Sequence, residues 1–143
     1  MIFDVQVRKT LRSAGRVIEL DVSFQSAAQR TVIFGPSGAG KSLTLQMVAG
    51  LLNPDDGCLM FSGQTLFDAS AKVNVPARER GFGFLFQDYA LFPHLNVRQN
   101  IAFGLQRQWV NPSASVKNEQ VDTSLQAFEL LELAQSMPAE LSG

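Results

Sequence analysis

The 143 residues are the length of one domain, and 45% are hydrophobic against 17% charged, which is enough apolar surface for a core and excludes a compositionally disordered chain. Lys plus Arg is 12 and Asp plus Glu is 13, a net charge of −1 that offers no broad field for nucleic acid or an anionic membrane. Cys58 is the only cysteine, so an internal disulfide is excluded and a reducing cytoplasm fits.

Met1 to Arg12 mixes Asp4, Gln6, Arg8 and Lys9 among apolar residues and does not read as a secretory signal. Ile2 to Val7 alternates apolar and polar, as a half-buried strand does, and Val17 to Phe24 alternates more clearly, with Ile18, Leu20, Val22 and Phe24 on one face. Thr31 to Phe34 reads as a short buried strand that stops abruptly at Gly35-Pro36. A helical pattern follows from Lys41 to about Leu51, with Leu45, Val48, Leu51 and Leu52 on one side. Its longest apolar run, Met47 to Leu52, is far short of a membrane span. Asn53-Pro54-Asp55-Asp56-Gly57 is a turn by its chemistry. Cys58 to Ser62 and Leu66 to Asp68 are expected strands, Ala69 to Arg80 a loop, and Phe82 to Phe86 a strongly apolar strand. Val97 to Gln106 and Glu119 to Leu133 are expected helices, the second carrying Val121, Leu125, Phe128 and Leu131 at helical spacing. The mixed order suggests an α/β fold with an antiparallel element near the N-terminus.

Gly35-Pro36-Ser37-Gly38-Ala39-Gly40-Lys41-Ser42 fits G-x-x-x-x-G-K-[ST] at every fixed position. Gly35 and Gly40 let the backbone turn tightly and lie close to a polyphosphate. Successive amides then form an anion nest, and the next helix directs its unpaired N–H groups and positive dipole end at the same point. Lys41 can reach the β- and γ-phosphates, and Ser42 can place its hydroxyl on Mg²⁺. The alternative is a glycine-rich turn with an incidental lysine; an apolar run before it and a helix after it make that coincidence rarer.

Gly81-Phe82-Gly83-Phe84-Leu85-Phe86-Gln87-Asp88 would end a strand on Gln87, with Asp88 one residue beyond. If the strand stays regular, these two side chains take opposite faces. The stretch from Gln87 to Leu105, QDYALFPHLNVRQNIAFGL, resembles the Q-loop region of ABC transporter ATP-binding subunits, particularly those of bacterial importers. Gly35 to Ser42 resembles their Walker A motif, Pro76 to Gly81 the segment leading into the Q-loop strand, and Leu141-Ser142-Gly143 the first three residues of their signature motif.

The resemblance implies a P-loop NTPase core with an N-terminal antiparallel β element, truncated before the Walker B strand. Residues 1–143 would then be the N-terminal portion of one ATP-binding domain, with Walker A at 35–42, the Q-loop near 87, a helical region at about 97–140 and the signature start at 141–143. It implies ATP and Mg²⁺ as cofactors, with Gly35, Pro36, Ser37, Gly38, Ala39, Gly40, Lys41 and Ser42 around the phosphates and Ser42 and Gln87 toward the metal. Gln87 would be the catalytic-site glutamine that moves with the transport subunit. Partners would be a transmembrane permease subunit, near which Tyr89, Leu91, Phe92 or Pro93 would lie, and a second ATP-binding subunit in a homodimer; no nucleic acid is expected. The place would be the cytoplasmic face of the membrane. The cargo resembles that of molybdate, sulfate or sugar importers.

The sequence contains no apolar run of four ending in Asp-Glu, so the isolated chain is expected to bind ATP without hydrolysing it. His94 lies in the FPHL stretch and does not match the family's switch histidine. The family stacks an aromatic ring on adenine from the N-terminal strands, yet Leu11 to Val17 holds none, leaving Phe3 and Phe24 as candidates by type alone. A catalytically inactive nucleotide-binding fragment is a second reading, and a P-loop small-molecule kinase a third. The third leaves the Q-loop stretch unexplained, and its phosphate-clamping arginines would have to come from Arg78, Arg80, Arg98 and Arg107, which are few and scattered.

Overall fold

A computed structural model describes residues 2–13, 15–87, 89–105 and 110–141. The chain divides into two compact units, Met1–Phe84 and Leu85–Gly143. In the first, β1 (Phe3–Ser13) and β2 (Arg16–Ser26) form a long antiparallel hairpin in register from Phe3↔Ser26 to Ser13↔Arg16. Helix α1 (Lys41–Ala49) follows, then β3 (Asp56–Phe61), β4 (Gln64–Asp68) and β5 (Val73–Asn74), giving a five-stranded sheet in the order β2-β1-β3-β4-β5. The β3–β4 turn carries Ser62 and Gly63 at φ of 48° and 84°, the paired left-handed residues that let a two-residue turn follow the strand twist.

The alternation read from the sequence places Val5 and Val7 on the inner face of β1, where they are buried with Met47, Leu59, Leu66 and Phe67. Phe3, Phe61 and Phe82 close one side of this core, with ring centroids 4.5 Å apart for Phe3–Phe61 and 5.0 Å for Phe61–Phe82. The buried side of α1 is Thr44, Met47 and Ala49, whereas Leu45 and Leu51 of the expected apolar side are exposed.

Two expected strands are absent. Thr31–Phe34 and Phe82–Phe86 join no ladder, and Val32 and Phe34 are 86% and 96% exposed. Apolar content favours burial without fixing which strand a run joins, and neither run belongs to the five-stranded sheet of the described residues. The expected loop Ala69–Arg80 instead contains β5 and a one-turn helix, α2 (Ala77–Arg80), entered through Pro76 in extended conformation and closed by Gly81 at φ 69°.

In the second unit, α3 (Val97–Phe103) and α4 (Glu119–Ala127) pack through Val97, Ala102, Val121 and Leu125, joined by Ala134. Asn96 caps α3: its side chain accepts from the Gln99 amide at 2.8 Å, while Gln99 Oε1 accepts from the Asn96 amide at 3.0 Å. Asn118 caps α4. Arg98 meets Asp122 at 2.6 Å and donates to the Val116 carbonyl. Helix α4 stops at Ala127, short of the expected Leu133, because Glu129 adopts φ +56°; Phe128 is left 74% exposed. The far end of the other expected helix, Gln106, lies outside the described residues, as do Asp88, Arg107, Ser142 and Gly143. No helix among the described residues is long and apolar enough to cross a membrane.

Candidate phosphate-binding loop

The loop between the unpaired Thr31–Phe34 run and α1 is organised by backbone geometry. Gly38 and Gly40 sit at φ of 82° and 84°, a region closed to most side chains. The Ala39 amide donates to the Pro36 carbonyl at 3.2 Å, making a tight turn. Gly40 is the N-cap of α1, and its carbonyl accepts from the Thr44 amide and hydroxyl at 2.9 and 3.0 Å. No side chain caps this helix and no acid lies in its first turn, so its first amides have no intrahelical acceptor.

The Lys41 ammonium folds back into the loop and donates to the Gly35 carbonyl at 2.9 Å and the Pro36 carbonyl at 2.7 Å. Ser42 is exposed on the first turn. Gly35, Pro36, Ser37, Gly38, Ala39, Gly40, Lys41 and Ser42 are thus brought together, and uncapped amides with a cation are what a polyphosphate requires. Leu20 of β2 lies against Gly40, tying the loop to the sheet. For Mg²⁺ the protein offers the Ser42 hydroxyl here; that ion prefers oxygen and commonly keeps phosphate and water for the rest of its shell. Among the described residues no group of three His, Cys, Asp or Glu side chains gathers to hold a metal.

Gln87 belongs to the second unit, exposed in a turn closed by the Tyr89 amide on the Phe86 carbonyl at 3.1 Å, not at a strand end. Tyr89 and Ala90 both take positive φ, and Tyr89 is 67% exposed. Leu91 is exposed too, while Phe92 rests on Phe103 at 4.4 Å between ring centroids and has His94 edge-on at 6.0 Å. The Asn100 side chain holds this turn through the Phe92 amide and the Phe92, Leu95 and Asn96 carbonyls. Phe3 and Phe24 both pack against the core of the first unit, where they help line a cavity of about 210 Å³ with Ile33, Leu45 and Val48.

Sequence reasoning missed Arg80. Its side chain is buried, with the residue 7% exposed, and donates to the Met47 and Val48 carbonyls at the end of α1, both at 2.9 Å. It also donates to the Val75 carbonyl at 2.8 Å and to Asn74 Oδ1 at 3.3 Å. Burial lowers its pKa from the usual value. Nothing in the spacing of PARERG announces this; the available signal is Gly50, a helix-ending glycine whose missing side chain leaves the space that the guanidinium uses. The Cys58 thiol is pushed up by burial and by the Asp68 and Asp4 carboxylates, which leaves it a poor nucleophile.

Comparison with known proteins gives a consistent picture. The family description "ABC transporter" matches residues 19–143. The molybdenum import ATP-binding protein ModC of Mesorhizobium japonicum is 38% identical over 87% of this chain and 32% of its own length. The sulfate/thiosulfate import ATP-binding protein CysA 2 of Agrobacterium fabrum is 38% identical over 91% of the chain and 36% of its own length. The Fe(3+) ions import ATP-binding protein FbpC of Yersinia enterocolitica is 42% identical over 88% and 34%. The chain therefore spans about a third of the length of these curated relatives. Among solved structures, a dimeric bacterial ABC transporter cassette superposes with a TM-score of 0.68 at 22% identity, over 100% of this chain and 64% of that one.

Proposed function

The chain belongs to the ABC transporter family, and we propose that it forms the front portion of an importer's ATP-binding domain, holding Mg-ATP at Gly35–Ser42. The observation that carries this reading is the loop itself: two left-handed glycines, an uncapped helix start and the Lys41 ammonium converge on one point. On binding, Lys41 exchanges one or both carbonyl partners for phosphate oxygens. The amides of the loop and first turn hold the remaining phosphate charge. Ser42 would help hold Mg²⁺ through its hydroxyl, and the ion would supply positive charge against that of the phosphates. Gln87, exposed on the Q-loop turn, is assigned to ATP hydrolysis by family resemblance alone.

ATP binding by this domain would drive uptake of a solute through a membrane permease subunit, with a second ATP-binding subunit completing the dimer at the cytoplasmic face. The relatives named above are import ATP-binding proteins for molybdenum, sulfate/thiosulfate and Fe(3+), so this stretch is common to systems for different solutes. This stretch binds without turnover, because no Asp-Glu pair follows an apolar run in it. Calorimetry with Mg-ATP tests the site: the wild-type chain gives a binding heat that Lys41→Ala abolishes. Absence of any Lys41-dependent heat refutes the reading, and Lys41-dependent phosphate release refutes the claim of binding without turnover.

A further inference from the structure

Helix α1 is nine residues long, and what fixes its far end fixes the loop. That end is held from outside the helix. Arg80 Nη1 serves the Met47 and Val48 carbonyls, Nε serves Val75, and Nη2 serves Asn74, whose own side-chain amide donates to Asn53 Oδ1 at 3.1 Å. A buried guanidinium commonly sits beside a carboxylate. The ion pairs of the described residues do not include Arg80, so its charge is complemented by the negative end of α1. Gly50 makes the arrangement possible: at φ +79°, a Cβ there would lie 2.6 Å from Arg80 Nε and 3.1 Å from Ala77 Cα.

We propose that Arg80 is a positioning residue for the phosphate loop, setting the axis of α1 from its C-terminal end; this rests on the phosphate-site reading above. Met47 is fully buried and its carbonyl is one of the two that Arg80 holds, so this part of α1 is fixed by core and guanidinium together. At 1.5 Å per residue, Ser42 lies roughly 7–8 Å along the helix axis from Met47. A tilt of α1 about this anchored stretch therefore displaces the loop, where hydrogen bonds to phosphate tolerate little displacement. Arg80 touches no phosphate; it acts through the helix.

The test titrates Mg-ATP into the full 143-residue chain and its variants by calorimetry, with amide exchange at Gly50–Leu52 measured without nucleotide. Arg80→Met is expected to weaken Mg-ATP at least tenfold and to speed that exchange. Arg80→Lys, whose ammonium can still serve both helix carbonyls, is expected to stay within threefold of wild type. Leu66→Ala, a core variant with a similar loss of melting temperature, is expected to weaken binding less than threefold. Arg80→Gln replaces Arg80→Met if the latter does not fold. The proposal is overturned if Arg80→Met binds as wild type, if Arg80→Lys is as weak as Arg80→Met, or if Leu66→Ala is as weak as Arg80→Met. If Lys41→Ala also binds as wild type, the phosphate reading falls and takes this proposal with it; a failure at Arg80 alone leaves that reading standing.

Discussion

Gly38 and Gly40 provide a controlled comparison, because their φ angles differ by only two degrees while their surroundings differ completely. A Cβ on Gly38 would meet nothing within 4 Å. One on Gly40 would run into Leu20 Cδ1 and lie 3.3 Å from Leu20 Cγ. Alanine at either position pays about 1–2 kcal/mol for left-handed backbone. In the free chain the loop can escape that strain by leaving the nest conformation, so a bound anion must supply it again, weakening Mg-ATP about 5- to 30-fold. Gly40→Ala adds the displacement of Leu20 from its rotamer, about 0.5–1.5 kcal/mol, for a total loss of roughly tenfold to a few hundredfold. Calorimetric titration of the two single variants, together with Gly40→Ala/Leu20→Ala, separates the contributions. The double variant should bind more tightly than Gly40→Ala alone, since the steric part is relieved and the backbone part is not. Equal losses at the two glycines, or a double variant weaker than Gly40→Ala, refute the reasoning.

Gly57→Ala should be far more damaging to stability than Gly63→Ala. A Cβ on Gly57, at φ +102°, would run into the Gln6 carbonyl and lie 3.0 Å from Val7 Cα, both backbone of the β1–β3 ladder, whereas one on Gly63, at φ +84°, would face open space. In urea denaturation about 1–2 kcal/mol is expected at Gly63, and more than about 3 kcal/mol or loss of folding at Gly57. The Asp55 carboxyl is held below its ordinary value of 3.8 by the Lys9 ammonium at 2.6 Å and the Thr10 amide at 2.8 Å. A lowered folded-state pKa means that the unfolded chain binds the proton more readily, so this contribution is complete above the ordinary value and is lost as pH falls below it. The urea midpoints of wild type and Asp55→Asn should therefore differ at neutral pH and converge as the pH is lowered below 3.8. Asn96→Ala removes the α3 cap and the bond to Gln135 at 2.9 Å, and is expected to cost about 1–2 kcal/mol, read as faster amide exchange across Val97–Phe103.

The hairpin and the loop were legible because their signals are local. Alternation in Val17–Phe24 and the chemistry of Asn53–Gly57 encode conformation over a few residues, and Gly35, Gly40, Lys41 and Ser42 need only their own spacing. Thr31–Phe34 and Phe82–Phe86 are legible only as apolar runs, because apolar content reports a liking for burial, while a strand depends on pairing with residues far away in the sequence. Phe128 and Leu131 continue the stripe of Val121 and Leu125, yet the left-handed turn at Glu129 stops the helix before they can use it. In the sequence Arg80 is one more scattered arginine, because no local pattern tells a guanidinium that reaches a helix end from one in solvent. Its role depends on Gly50 and on the path of residues 74–80, and is visible only once they are placed together.

The β1–β2 hairpin pairs neighbours in sequence, so it can close within about 1–10 μs of leaving the ribosome. The other edge of β1 waits for β3, roughly thirty-five residues later, a delay of about 2–7 s at ~5–20 residues per second. During those seconds Val5 and Val7 lack the cover that Met47 and Leu59 later provide, and an unpaired strand edge faces whatever the nascent chain encounters. Slow translation of residues 27–61 therefore lengthens the time for which this edge stays open, a kinetic exposure that the finished fold no longer records.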